Sequence, residues 1–169
     1  DVVVLGKPLG NGYPLGAVVT TRAIADAFAT GMEFFSTFGG SSAACAAGLA
    51  VLDVLDEERL AENAAQVGAH LLLGLRQIQE RTPTIRDVRG MGFFIGVEIT
   101  GPDGAPSRRH ARHVVERLRG KRVLIGTDGP HDNVLKIRPP LCFSHGDADF
   151  LFNALAEVFE DRLMQEGQH

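Results

Sequence analysis

The sequence predicts an α/β fold, because short apolar runs, amphipathic helical stretches and glycine-rich turns alternate along the 169 residues. The apolar fraction of 44% and the charged fraction of 22% are typical of an ordinary globular protein. No segment approaches the apolar length of about 20 residues that spans a bilayer, and the two cysteines suggest neither a zinc site nor a disulfide framework. We therefore expect a cytoplasmic protein with no metal site and no membrane contact.

The first part of the chain is predicted to be rich in glycine and loops. The non-alternating, β-branched run Val2–Leu5 predicts a fully buried strand. A turn at 10–16 follows, then a short strand at 17–21 and a helix at 22–29 that Thr21 can cap. A glycine and serine loop at 34–42 completes this part.

A long helical stretch at 43–80 connects the two parts of the chain. Its apolar residues recur at helical spacing, and the acidic residues at 56–58 mark a possible bend. We place a domain boundary there, with 1–57 as the first domain and 58–169 as a compact α+β second domain.

The second part is predicted to continue with three strands and two helices. The strands are expected at 86–100, 123–125 and Val134–Ile137, the last ended by the two following prolines. A basic helix is expected at 107–119, and its histidines, His110 and His113, are interpreted as part of a solvated face. Ser144, with Asp147 as the third helical residue, predicts the start of a final helix.

Lys7 is the candidate reactive group, since it stands where the first strand gives way to glycine-rich turns. A phosphate-binding P-loop would need a hydroxyl residue after the lysine, but Pro8 follows. A lysine amine can instead form an imine with a carbonyl when burial or a neighbouring cation keeps it unprotonated. Pro8 favours an extended backbone at Lys7. The alternative to a reactive lysine is an ordinary surface lysine, whose side chain extends from the end of a strand into water.

Several segments together resemble the class III aminotransferases, enzymes of fold type I that use pyridoxal 5'-phosphate (PLP). The segment LGKPLGNGYPLGAVV is similar to the family's lysine segment, and STFGGSSAACAAGLAVLDVL is similar to its phosphate loop and following helix. VRGMGFFIGVEI is similar to a small-domain strand, and LKIRPPLCFS to the C-terminal substrate strand. The resemblance implies that 1–57 is the end of the large PLP-binding domain and 58–169 the small domain. Since the family's ring-binding residues precede the lysine, we expect the chain to be the C-terminal part of an enzyme, inactive by itself.

The resemblance also implies roles for particular residues. Lys7 would hold PLP as an internal aldimine and then move the proton between substrate and cofactor, and Thr37 would bind the cofactor phosphate across a homodimer interface. The substrate carboxylate is commonly gripped by an arginine at the position that Lys136 occupies here, whereas this chain has an arginine at Arg138. Residues 136 and 138 share one face of a strand, so either could reach the substrate.

The function expected from this resemblance is transfer of an amino group from an amine or amino acid to a keto acid. The segments GKPLGNG and KIRPPLCF together resemble the branch of the family that contains phospho-lyases, which eliminate phosphate and ammonia from phosphoethanolamine-like substrates. A non-catalytic dimerisation fragment is a further alternative, because the helix at 43–55 is apolar enough for an interface. RNA binding by the basic helix is disfavoured by the net charge of -4.

Overall fold

A computed structural model describes residues 1–165 of the chain. The chain divides into two compact units, one formed by Asp1–Arg59 and one that begins at Leu60. Both units combine helices with strands, which confirms the predicted α/β class.

The first unit contains a two-stranded antiparallel ribbon of β1 (Val2–Leu5) and β2 (Ala17–Thr20). Val2 pairs with Thr20 and Leu5 with Ala17, so both strands have the predicted positions. The expectation that Val2–Leu5 is buried is wrong: Val4, for example, is 75% exposed. A ribbon of two strands cannot enclose its own side chains, and burial would need a covering layer.

Two helices complete the first unit. Helix α1 (Arg22–Phe28) begins as predicted at Thr21, whose hydroxyl accepts a hydrogen bond of 3.5 Å from the Ile24 amide. Helix α2 (Ser42–Glu57) covers the first part of the predicted helical stretch. The predicted helical stretch at 43–80 is interrupted at Arg59, because its φ of 50° lies in the left-handed region and cannot continue an α-helix.

The second unit is a four-stranded antiparallel sheet with helices against one face. Its strands lie in the order β3, β4, β6, β5. In chain order the elements are α3 (Leu60–Gln79), β3 (Ile85–Met91), β4 (Phe94–Ile99), α4 (Arg108–Gly120), β5 (Gly126–Asp128), β6 (Val134–Ile137) and α5 (His145–Phe159). Alternate residues point into the core, such as Ile95 and Val97 of β4 and Leu135 and Ile137 of β6.

Two of the predicted strands differ from those observed. The stretch 86–100 is an antiparallel hairpin rather than one strand, because Gly92 turns the chain with a φ of 54°. The strand expected at 123–125 lies at Gly126–Asp128, where it pairs with β6. In both cases pairing with a neighbouring strand, which the local sequence does not show, decides where the ladder runs.

The helices of the second unit form the other side of its core. Ser144 and Asp147 make the predicted capping box at the start of α5. The interpretation of His110 as a solvated residue is wrong: only 3% of it is exposed, and it lies on the buried face of α4 with Ala111, Val114 and Leu118. Among residues 1–165 no helix is long and apolar enough to span a membrane.

Candidate functional site

Lys7 lies one residue beyond β1, after Gly6, at the first position of a 3₁₀ turn, Lys7–Gly10. The expected extended backbone is wrong, since Lys7 has a φ of 44° in the left-handed region. Few residues other than glycine, asparagine and aspartate adopt this conformation, and such strain is found preferentially at functional sites. Lys7 is exposed, and its amine makes no hydrogen bond or ion pair with any residue in 1–165.

Helix α2 packs against the turn that carries Lys7. Gly48 of α2 faces this region: a Cβ there would lie at an ordinary contact distance of 3.9 Å from the Leu9 carbonyl oxygen and 2.5 Å from the end of the Leu15 side chain. The backbone of the Lys7 turn is therefore held by close contact with a helix of the same unit.

Thr37 lies in the loop that leads into α2. It is exposed, and its hydroxyl has no hydrogen-bond partner within 1–165. Ser36 is engaged, since its hydroxyl accepts a 3.0 Å hydrogen bond from the Gly39 amide. Ser41 is at the N-cap of α2, but its side chain makes no capping hydrogen bond. The amides of the first turn of α2 therefore remain available to an anion.

The residues present in the first unit fit PLP by their chemistry. PLP requires a primary amine for its aldehyde and hydrogen-bond donors for its phosphate. Lys7 supplies an unengaged amine, and Thr37 together with the uncapped start of α2 supplies donors suited to a phosphate. Both groups belong to segments that adjoin α2.

Lys136 and Arg138 belong to the second unit. Lys136 lies in β6, between Gly96 of β4 and Gly126 of β5, on the sheet face opposite the core. Its ammonium group forms an ion pair with the Asp128 carboxylate. Arg138 follows the end of β6, is exposed, and makes no ion pair or hydrogen bond among the described residues.

Lys136 and Arg138 both line a surface cleft of about 540 Å³. The cleft continues over Pro139 and Pro140 to the start of α5, and Arg122 supplies a further cation to its lining. The cleft also includes the apolar side chains of Leu124 and Phe150, which are 85% and 57% exposed. Such a lining suits a small anionic molecule that also has an apolar part.

Sequence reasoning missed two residues of this region, Asp128 and Arg122. Asp128 was missed because the strand was placed at 123–125, which leaves residue 128 in a loop. With the strand at Gly126–Asp128, Asp128 becomes a diagonal neighbour of Lys136.

Comparison with known proteins assigns the chain to a family. The sequence model of the family described as aminotransferase class-III matches residues 1–159. The chain belongs to the class III aminotransferase family. The resemblance on which the sequence analysis depended is thereby confirmed.

Relatives in this family have two kinds of names. An Arabidopsis thaliana protein named alanine–glyoxylate aminotransferase 2 homolog 2, mitochondrial, is 46% identical over 92% of this chain and 33% of its own length. A Caenorhabditis elegans protein named ethanolamine-phosphate phospho-lyase homolog 1 is 39% identical over 94% of this chain and 34% of its own. The chain thus spans about a third of the length of these relatives.

Similar solved structures include both a phospholyase and an amine transaminase. A phospholyase from Arthrobacter in complex with phosphoethanolamine superimposes with a TM-score of 0.91 and 42% identity, over 95% of this chain and 38% of that one. An amine transaminase from an uncultivated Pseudomonas species, in a PLP-bound form, has a TM-score of 0.80 and 32% identity over 94% and 38%. The fold and the order of elements are therefore those of PLP-dependent enzymes.

Proposed function

We propose that the protein carrying this sequence is a PLP-dependent aminotransferase that moves an amino group from an amine or amino acid to a keto acid. The observation that carries the proposal is Lys7, an unengaged amine in a strained backbone, in a chain matched by the class III family over residues 1–159. PLP, when bound, supplies an aldehyde that takes up the amino group and a ring that withdraws electrons.

Lys7 has two tasks in this proposal. Its Nζ holds the cofactor at rest, and the same nitrogen carries a proton once the substrate amine has replaced it. The left-handed backbone at Lys7 and the packing of its turn against α2 fix where the side chain starts. Thr37 and the first-turn amides of α2 bind the phosphate of the cofactor in the partner subunit, across the homodimer interface, and thereby orient that cofactor.

The cations of the second unit bind the anionic group of the substrate. Arg138 presents a planar guanidinium that can bind a carboxylate through two hydrogen bonds. Lys136 offers a compact ammonium next to it, held by Asp128. A substrate held at its anionic end leaves its amine as the reacting group.

Reduction with borohydride tests the role of Lys7. Treating the complete, PLP-loaded protein should leave a pyridoxyl group on the peptide containing Lys7, which mass spectrometry of a digest would locate. Lys121 and Lys136, the other lysines of the chain, serve as internal controls. A label on either of them, with Lys7 unmodified, would contradict the proposal.

Phosphate elimination is the second candidate function. It is supported by the phospholyase structure bound to phosphoethanolamine and by lysine rather than arginine at position 136. Incubation with phosphoethanolamine, and separately with alanine and a keto acid, separates the two activities. Phosphate release without consumption of keto acid supports the lyase, and amino transfer that depends on keto acid supports the aminotransferase.

We also propose that the protein acts as a homodimer in the cytoplasm, without nucleic-acid or membrane partners. Leu49 and Leu52 of α2 support the dimer, since they are 62% and 50% exposed and an apolar helix face needs a partner. Sedimentation of the complete protein should show the dimer, and a stable monomer would contradict it. The location needs separate imaging, because the Arabidopsis relative is named mitochondrial.

A further inference from the structure

Asp128 and Lys136 are cross-strand neighbours in the hairpin formed by β5 and β6. Gly126 pairs with Lys136, and Asp128 pairs with Val134, so Asp128 is diagonal to Lys136 on the same face of the sheet. At this diagonal spacing a long lysine side chain reaches the carboxylate, and the Lys136 ammonium donates a hydrogen bond to Asp128 Oδ2.

The Asp128 carboxylate is itself held in place by its own turn. Its Oδ1 accepts a hydrogen bond of 2.8 Å from the Gly129 amide, and Gly129 has a φ of 85° that suits glycine. The hydrogen bonds from Lys136 and from the Gly129 amide hold the pKa of Asp128 below its ordinary value. The Asp128 carboxylate therefore carries a negative charge in a fixed position, and it orients the Lys136 ammonium group.

The two candidate substrate cations, Lys136 and Arg138, differ in whether a carboxylate forms an ion pair with them. Lys136 forms an ion pair with Asp128, whereas Arg138 forms none among residues 1–165, although its charge also helps to lower the pKa of Asp128. Arg89, across Gly96 on the same sheet face, is also compensated, by Asp87 at 2.6 Å and Glu98 at 3.0 Å. Among the described residues, the cations of the cleft that no carboxylate pairs with are therefore Arg138 and Arg122.

We propose that Asp128 is a positioning residue that determines substrate specificity by holding the Lys136 ammonium and offsetting its charge. A substrate anion then meets the positive charges of Arg138 and Arg122, together with an oriented hydrogen-bond donor on Lys136. This inference rests on the proposed function, in which Lys136 and Arg138 bind the anionic end of the substrate.

The consequence is a preference between anions of different charge. Electrostatic attraction grows with the charge of the ligand, and a phosphate near neutral pH carries about 1.5 to 2 negative charges against one on a carboxylate. Removing the charge of Asp128 should therefore favour phosphate more than carboxylate. In the natural sequence, Asp128 keeps the site from being selective for the more highly charged anion.

Calorimetric titration of the complete protein with inorganic phosphate and with acetate tests this prediction. Asp128→Asn should tighten phosphate binding about fivefold and acetate binding about twofold, as expected for an exposed charge. Asp132→Asn is the matched control: it removes the same charge from the same hairpin, but Asp132 pairs with Arg108 at 3.1 Å. The control should bind both anions within about twofold of the unchanged protein.

Lys136→Gln separates failure of the inference from failure of the proposed function. It should weaken phosphate binding, and in the double variant with Asp128→Asn the gain in phosphate selectivity should be smaller than in Asp128→Asn alone. If Lys136→Gln changes the binding of neither phosphate nor acetate, Lys136 does not bind the substrate anion. In that case both the inference and that part of the proposed function are wrong. If Lys136→Gln weakens binding but Asp128→Asn behaves like Asp132→Asn, the inference alone is wrong.

Steady-state kinetics provide a second readout. In the reaction with the carboxylate or phosphate substrate that the protein accepts, Asp128→Asn should change KM, with kcat within about twofold. A loss of kcat with unchanged KM would mean that Asp128 only supports the fold.

Discussion

Gly68 of α3 and Gly92 of the turn between β3 and β4 lie in direct backbone contact. A Cβ added at position 68 would lie 2.8 Å from the Gly92 Cα, closer than real side-chain carbons approach a backbone. Gly92 itself adopts a φ of 54°, which makes the tight turn possible. This contact seats the hairpin on α3 and thereby sets the position of β4, the strand beside Lys136.

Gly68→Ala should destabilise the protein, although alanine is the better helix former. The added methyl group must displace backbone rather than a flexible side chain, and overpacking of this kind costs about 1–3 kcal/mol. Urea unfolding of the complete protein would measure the change. Gly120→Ala, at the end of α4, is the control, since a Cβ there meets no atom within 4 Å and the variant should be neutral or slightly stabilised. Equal stability of the two variants would contradict the argument.

The contrast between Gly68 and Ser144 shows what the sequence can predict. The start of α5 could be predicted because Ser144 and Asp147 satisfy the helix end within one turn. The role of Gly68 could not, because it depends on a turn that lies some twenty residues away along the chain. The same reason applies to the split of 86–100 into two strands and to the position of β5, where pairing between strands decides the boundaries.

In the candidate site, too, some features can be predicted from the sequence and others only from the structure. Lys7, Thr37, Lys136 and Arg138 were identified from motifs, but the left-handed backbone of Lys7 was not, because Pro8 favours the opposite conformation. The link from Asp128 to Lys136 requires the correct strand register, and so it emerged only from the structure.

The strain at Lys7 predicts that a glycine variant at this position is more stable than an alanine variant. Lys7→Gly should raise the unfolding free energy by about 1 kcal/mol relative to Lys7→Ala, because only glycine adopts a φ of 44° without a steric penalty. Both variants lack the amine and should lose the activity alike. Thermal unfolding of the two variants without cofactor measures the difference. If Lys7→Ala is as stable as Lys7→Gly, the left-handed conformation carries no strain.

Asp161 should make stability depend on acid pH. Partial burial alone would raise its pKa, but hydrogen bonds of 2.8 Å from His113 and from Arg117 outweigh this and hold the pKa below the ordinary value of 3.8. A lowered pKa means that the carboxylate stabilises the fold above the pKa of the unfolded chain, and that this contribution is lost as the pH falls through the folded-state pKa.

Asp161→Asn should therefore cost about 1–2 kcal/mol at pH 7 and progressively less below about pH 4. Urea unfolding across this range would show the two proteins converging in acid. Asp26→Asn is a suitable control, because Asp26 pairs with Arg22 at 3.9 Å and both side chains are largely exposed. Its effect should stay below about 0.5 kcal/mol at every pH. A constant difference between Asp161→Asn and the unchanged protein would show that the charge is not the cause.

Ser144 and Ser41 occupy the same position at the starts of α5 and α2, but only Ser144 acts as a cap. The Ser144 hydroxyl accepts a 3.2 Å hydrogen bond from the Asp147 amide, and the Ser144 amide donates one of 2.9 Å back to the Asp147 carboxylate. The side chain of Ser41 makes no such bond. Ser144→Ala should thus lower the unfolding free energy by about 1 kcal/mol, whereas Ser41→Ala should change it by less than about 0.5 kcal/mol. Urea unfolding of both variants, without cofactor, provides the comparison, and similar losses for the two serines would show that side-chain capping does not stabilise α5.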